Sequence, residues 1–258
     1  MTGKKNASLH DVVEFIDDYC KIDEVKDFDG AQNGLQFENS GRVGRVATAV
    51  DAGLCEIELA AHLGADMLIV HHGMFWTPPI PVTGPNYRKV KALIDADIAL
   101  YSVHLPLDAH REVGHNVLIA KALGLKLCGG CYGYEGNDIG VVANAPKGGR
   151  ETLERKLAEL FPETFKAIRF GSETPQKVAI CAGSPGDRAI EMLPKLGIDT
   201  LVCGELRQRH FTSAQELKLN LYPCGHYATE RFGVMALGEL VAKKFNLQCD
   251  FIEMPNFL

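Results

Sequence analysis

The sequence predicts an α/β protein of two similar units, with mixed or parallel sheets facing a shared metal cleft, and three observations predict it. Short apolar strands alternate with amphipathic helices along most of the chain, the pattern that builds parallel or mixed sheets. Gly64-Ala65-Asp66-Met67-Leu68-Ile69-Val70-His71-His72 lies over Gly197-Ile198-Asp199-Thr200-Leu201-Val202-Cys203-Gly204-Glu205 at a constant offset of 133, which reads as an internal duplication. Three apolar strands end in histidine, and two of those histidines are followed four residues later by a carboxylate.

The elements follow in order. Ser8 can cap a helix through about Tyr19, with Val12, Val13, Phe15 and Ile16 on its apolar face. After an irregular stretch from Asp27 to Gly44 come a strand over Arg45–Val50, a helix over Cys55–Leu63 and a buried strand over Met67–Val70, bounded by Gly73, Pro78, Pro79 and Pro81. Helices over Asn86–Ala96 and His115–Leu123 flank the strand Ile98–Val103. The glycine-rich stretch from Cys128 to Gly149 reads as the crossover between units, with a strand at Ile139–Ala143. A charged amphipathic helix over Glu151–Leu160 leads to the strand Lys177–Ala182, a helix over Asp187–Leu196 and two strands ending near Cys203 and Cys224. A helix over Thr229–Lys244 and a strand over Leu247–Ile252 close the chain. The expected division is 1–127, completed by the C-terminal segment, and 128–258.

Composition bounds the function. A chain of 258 residues with 46% hydrophobic and 23% charged residues is long enough for one large core or two small ones. No apolar run approaches the ~20 residues that span a bilayer. The N-terminal residues lead into a helix without a signal-peptide core, so a cytosolic protein is expected. Eight cysteines scattered over strands and helices suit reduced, mostly buried thiols. A formal charge of −6 disfavours nucleic acid as a partner, because phosphate binding rests on Lys and Arg.

The chemistry concentrates at strand ends. In open α/β sheets ligands bind at the carboxyl ends of strands, and there the sequence sets His71 and His72, then His104 with Asp108, then His226 with Glu230; Glu205 occupies the repeat position of His72. Successive strand side chains point to opposite faces, so His71 and His72 serve one centre only if the chain bends, which Gly73 permits; two adjacent metals would relax that demand. Imidazole and carboxylate donors suit zinc, iron, manganese or nickel, and no cysteine stands at a matched position.

Other features have blander readings. His10, His62, His110 and His115 read as ordinary polar positions, and His210 as a loop residue near Glu205 for which a pocket role is the lesser alternative. Cys128-Gly129-Gly130-Cys131 has redox or metal spacing, yet no second pair accompanies it, so a loop with two incidental thiols is expected. Cys203 and Cys224 read as buried core. Pro146-Lys147-Gly148-Gly149-Arg150 lacks the P-loop pattern and reads as a charged turn.

Taken together, Gln32-Asn33-Gly34-Leu35-Gln36, Val70-His71-His72-Gly73, Val103-His104-Leu105-Pro106-Leu107-Asp108, Cys203-Gly204-Glu205 and Gly225-His226-Tyr227-Ala228-Thr229-Glu230 resemble the Nif-three-like family. That family is also described as type 2 homologues of GTP cyclohydrolase I and as dinuclear metal-centre hexameric proteins. The resemblance covers nearly the whole chain, in the short form without an inserted domain. It implies two divalent metal ions held by His71, His72, Asp108, His226 and Glu230, with Glu230 bridging, and a toroidal homohexamer with its metal sites facing an inner cavity. Leu105-Pro106 replaces a more polar pair common in the family, which leaves the ligands intact. Five protein ligands for two ions leave positions for water, and hydrolysis is then the default reaction class. His104 and Glu205 are expected to orient ligands or move protons. The expected function is a metal-dependent hydrolase acting on a small molecule such as a nucleotide or pterin precursor; the alternative is a non-enzymatic metal carrier or adaptor.

Overall fold

The computed structural model describes residues 6–76 and 80–256; Pro78 and Pro79, and the residues ahead of Asn6, lie outside the described residues. The chain forms two compact units: Met1–Leu107 with Gly233–Met254, and Asp108–Phe232 with Pro255–Leu258.

The first unit contains β1 (Ala7–Ser8), α1 (Leu9–Cys20), β2 (Gly34–Phe37), β3 (Arg42–Val43), β4 (Arg45–Asp51), α2 (Leu54–Leu63), β5 (Met67–His72), α3 (Gly84–Asp95) and β6 (Ala99–Ser102), and the short helix α4 (Leu105–Asp108) follows. In α1, Leu9, Val12, Ile16 and Cys20 recur at helical spacing and form its buried stripe. Ser8 stands at the N-cap but makes no side-chain capping bond. Its backbone is engaged in pairing with β3, and the amide of Leu9 is satisfied by the Gly41 carbonyl at 3.0 Å. The strands β4, β5 and β6 run parallel at the centre of a five-stranded sheet. Met67 to Val70 are buried on both faces, the signature of a central parallel strand rather than a half-exposed one. One apolar cluster joins Ala47, Ala49, Leu68, Val70 and Leu100 to Ile57 and Ala60 of α2 and Leu93 of α3.

The second unit contains α5 (His115–Ala122), β7 (Leu127–Tyr134), β8 (Asn137–Asn144), α6 (Gly149–Leu160), β9 (Ile168–Arg169), β10 (Lys177–Cys181), α7 (Gly186–Met192), β11 (Thr200–Cys203), α8 (Arg209–Leu217) and β12 (Asn220–Pro223). The helix α9 (His226–Phe245) starts here, and its stretch from Gly233 belongs to the first unit, as does β13 (Gln248–Phe251), which pairs in parallel with β4. Again three strands, β10, β11 and β12, run parallel, within a six-stranded mixed sheet. Period-two alternation splits its core: Val178, Ile180 and Ala182 face one apolar cluster, Ala179 and Cys181 the other. Val117, Ile119 and Ala120 of α5 belong to the first of these clusters, so α5 packs into the second unit although it precedes residue 128.

Two local expectations are corrected. The glycine-rich crossover is a β-hairpin in which β7 and β8 pair antiparallel and turn at Glu135-Gly136, both with positive φ (47° and 90°), the mirror-type turn that matches strand twist. Cys128 and Cys131 therefore sit on a strand and not in a loop, one exposed and one buried, and the Cys131 thiol lies 3.5 Å from the Val141 carbonyl. The helix expected through Leu196 stops at Met192 and resumes as a single 3-10 turn at Pro194–Leu196, because Pro194 has no amide to continue the α-helical ladder.

His210 lies in α8 and not in a loop; it is buried, with Nε2 2.6 Å from Asp187 Oδ1 and Nδ1 accepting the Arg207 amide. It is a structural tie between α7 and α8. All eight cysteines are free thiols, five of them buried. Among the described residues no helix is long and apolar enough to cross a membrane.

A buried-edge ion cluster gives a pH prediction. Burial would raise the Glu154 carboxyl, but the Arg169 guanidinium, at 2.8 Å to each oxygen, the Tyr222 hydroxyl at 3.0 Å and Arg150 outweigh it and hold the carboxyl below its ordinary range. A depressed native value stabilises the fold above the unfolded carboxyl's value and loses that contribution as pH falls through the native one. Glu154→Gln should therefore cost about 1 kcal/mol at neutral pH. The gap in melting temperature between the two proteins should close in acid; a gap that is constant with pH would contradict this.

Candidate metal centre

In the first unit the three parallel strands deliver their side chains at their carboxyl ends. Asp51 ends β4, His71 and His72 end β5, and His104 follows β6. The imidazoles of His71, His72 and His104 gather there: ring centroids are 4.7 Å apart for His71 and His72, 4.9 Å for His71 and His104, and 5.6 Å for His72 and His104. Each ring offers a donor nitrogen within 4.8 Å of the others'. Adjacent strand residues thus do converge, at the last two positions of β5. Gly73 does not achieve this by a positive φ; a Cβ there would meet the Gln36 carboxamide, whose oxygen accepts the Met74 amide at 2.8 Å.

Each imidazole is held from behind at Nδ1. His71 Nδ1 lies 2.9 Å from the Val103 carbonyl oxygen, His72 Nδ1 2.8 Å from Asp51 Oδ1, and His104 Nδ1 2.9 Å from Asp27 Oδ1. A carbonyl oxygen can only accept, so Nδ1 donates in His71, and an ionised carboxylate sets the same tautomer in a ring that faces it. This is the outer arrangement by which proteins fix histidine ligands to metals.

Asp27, which the sequence leaves inside an irregular stretch, and Asn33, which it sets in the Gln32–Gln36 motif, hold His104 in place. Asp27 is buried and bonds His104; Asn33 donates to Asp27 at 2.8 Å and accepts the His104 amide at 2.7 Å. Burial would raise the Asp27 carboxyl, but hydrogen bonds and charge from His104, and hydrogen bonds from Asn33 and the Phe28 amide, lower it below the ordinary value.

In the second unit three strand ends again supply the polar groups: Gly183 after β10, Glu205 after β11 and His226 after β12. His226 opens α9, and Glu230 lies one turn on, on the same face. His226 Nε2 is 3.1 Å from Glu230 Oε1, and Nδ1 is 3.4 Å from Glu205 Oε2. Two ligands of a tetrahedral ion with bonds near 2 Å stand about 3.3 Å apart, so the first spacing fits a pair sharing one metal. Burial would lower His226, yet Glu230 and then Glu205 outweigh it and raise the imidazole to about 9 in the metal-free protein. A cation at the site would take over the role of that proton.

Gly183 makes room for this pair. Its φ is +63°, and a Cβ would overlap Glu230 Oε1 and sit 3.1 Å from His226 Nε2. Its amide donates to Thr229 Oγ1, and its carbonyl accepts the amides of Gly204 and Glu205, which ties the three strand ends together.

Asp108 is buried in the same unit, at the end of α4, and offers a donor atom within 4.8 Å of one on His115, which is fully buried. The Asn116 carboxamide next to them donates to the Ile139 carbonyl at 2.7 Å and accepts the Ala182 amide at 2.7 Å. The buried Cys181 thiol is pushed well up by desolvation and then by the charge of Asp108, with Glu230 contributing further, so it stays a neutral thiol beside these carboxylates. The donor set is thus imidazole and carboxylate, which suits a borderline divalent cation and disfavours a closed thiolate site.

The model of the family described as Duf34/NIF3 (NGG1p interacting factor 3) matches residues 7–256. The chain is 36% identical over 258 residues to a GTP cyclohydrolase 1 type 2 homolog of Deinococcus radiodurans, covering 100% of this chain and 97% of that protein. It is 37% identical over 251 residues to a protein of the same name from Pyrococcus abyssi, covering 96% of this chain and 98% of that one. Among solved structures, a protein from Thermus thermophilus has 33% identity and a TM-score of 0.88, covering 98% of this chain and 100% of that one.

Proposed function

Because this chain belongs to the Duf34/NIF3 family, we propose that His71, His72, Asp108, His226 and Glu230 hold two divalent metal ions and that the protein is a metal-dependent hydrolase. One observation carries the reading: the imidazoles of His71 and His72 converge beside that of His104, each with Nδ1 at hydrogen-bond distance from a protein oxygen and each offering a donor nitrogen within 4.8 Å of the others'. Packing alone gives no reason to gather three imidazoles at the ends of two adjacent strands. Two bound ions would supply Lewis acidity and an acidified water. This chain's own residues would orient the donors: Asp51 holds His72, Glu205 holds His226, and His104, backed by Asp27, stands beside the ligands as a proton carrier. Glu230 would serve both ions in this reading, with Gly183 making room for it.

Support for a substrate with a cyclic amidine, of the GTP kind, comes from the name its relatives carry. The parallel trios β4-β5-β6 and β10-β11-β12, each with site residues at its carboxyl ends, support an origin by internal duplication. A homo-oligomer, for which the family resemblance implies a toroidal hexamer, completes the proposal; sedimentation of the purified chain tests it.

Activity is tested by turnover of GTP, of phosphodiesters and of cyclic amides, for the wild type and for His71→Ala/His226→Ala. Metal-dependent turnover of any of these, lost in the double variant, supports the hydrolase. Metal-loaded protein inert toward all three classes contradicts it and favours a metal carrier.

A further inference from the structure

We propose that Asp27 is a positioning residue that locks His104 with its proton on Nδ1 and its lone pair on Nε2; this rests on the reading of His104 as a proton carrier beside the metal ligands. Three N–H donors point at the carboxylate. The Phe28 amide donates to Oδ1 at 2.7 Å, the Leu105 amide to Oδ2 at 3.0 Å and the Asn33 carboxamide nitrogen to Oδ2 at 2.8 Å. Asn33 cannot turn its amide over, because its oxygen receives the His104 backbone N–H at 2.7 Å, and a backbone N–H only donates. Three fixed donors therefore demand a group that accepts at both oxygens, an ionised carboxylate, and its Oδ1 and Oδ2 lie 2.9 and 3.0 Å from His104 Nδ1. Nδ1 must then donate. With its side chain about 5% exposed, Asp27 has no bulk water to substitute for any of these bonds. The loop from Asp27 to Asn33 thus acts as a clamp on one imidazole, whose ring lies 4.9 Å from that of His71 and 5.6 Å from that of His72.

Asp27→Asn keeps the size but places an NH2 among donors. The least costly relief is for the amide to donate to Nδ1, which moves the imidazole proton to Nε2; a carboxylate-to-amide change next to a catalytic histidine has this effect in the serine-protease triad. The experiment uses protein labelled with 15N in histidine, with and without zinc, the His104 signals being identified by their loss in His104→Gln. In the wild type a protonated Nδ1 and an unprotonated Nε2 are expected; in Asp27→Asn, the reverse. Zinc content should be the same in both, and kcat for bis(4-nitrophenyl) phosphate should fall about 100-fold with KM unchanged, as for a mispositioned proton carrier. A wild-type His104 protonated at Nε2, or an Asp27→Asn protein that keeps the proton on Nδ1, overturns the proposal. So does a loss of zinc from His104→Gln, which would make His104 a ligand. Failure of the hydrolase reading is separate: it shows as an inactive wild type, while the nitrogen signals still decide the role of Asp27. If Asp27→Asn does not fold, the wild-type tautomer alone can refute the lock.

Discussion

Replacing Glu230 with glutamine is expected to remove at least one equivalent of metal per chain while the fold persists. Glu230 is 3% exposed, lies one helical turn beyond His226 and places Oε1 3.1 Å from His226 Nε2. Glutamine fills the same volume, so packing against Gly183 survives; what is lost is the anionic donor that two cations can share. A bridging role makes both ions depend on it. In the metal-free state the variant also loses the charge that raises His226, so each protein's own metal-free melting temperature is the baseline. The difference appears on adding zinc, which raises the wild-type melting temperature by mass action and raises that of Glu230→Gln much less. Elemental analysis and melting curves check both halves. A variant that retains both ions removes Glu230 from the site.

The second large effect is expected at Gly183. Alanine there must adopt φ near +63° and must push its Cβ into Glu230 Oε1, with His226 Nε2 only 3.1 Å away. The backbone alone costs about 1–3 kcal/mol, and the overlap displaces the His226–Glu230 pair, so metal affinity should fall at least 10-fold along with stability. Gly186 supplies the control. Its φ is +74°, yet nothing lies within 4 Å of a Cβ there. Gly186→Ala should pay the strain of about 1 kcal/mol and keep its metal. If the two variants bind zinc alike, the tight fit at Gly183 has no bearing on the site.

Much of this site is legible in the sequence because strand periodicity is. An apolar run that ends in histidine puts that histidine at the carboxyl end of a strand, and His71, His72, His104 and His226 all stand at such ends. Glu230 is legible through helical spacing from His226. What holds these groups is not. Asp27 reaches His104 from 77 positions away through an irregular loop, and no periodicity connects them. Gly183 looks like any turn glycine beside Pro185 and Gly186, since the overlap it prevents involves a helix more than forty residues on. His115 reads as a lone polar residue at a helix start, yet it is fully buried beside Asp108. The hairpin β7–β8 was masked by Gly129, Gly130 and Gly133, which weaken strand propensity, and its turn signal, Glu135-Gly136, is less distinctive than Asn-Gly or Asp-Gly. Local pattern thus reveals donors, while the shell that orients them is a property of tertiary contacts.

The most direct test of the central claim is a zinc titration of the metal-free chain, read by elemental analysis after dialysis. Trp76, the chain's single tryptophan, has its ring 5.1 Å from that of His104 and gives a parallel fluorescence signal. About two ions retained per chain in the wild type, with a clear loss in His71→Ala/His226→Ala, is the expected result. A wild-type chain that retains no zinc, iron, manganese or nickel under any loading condition would contradict it.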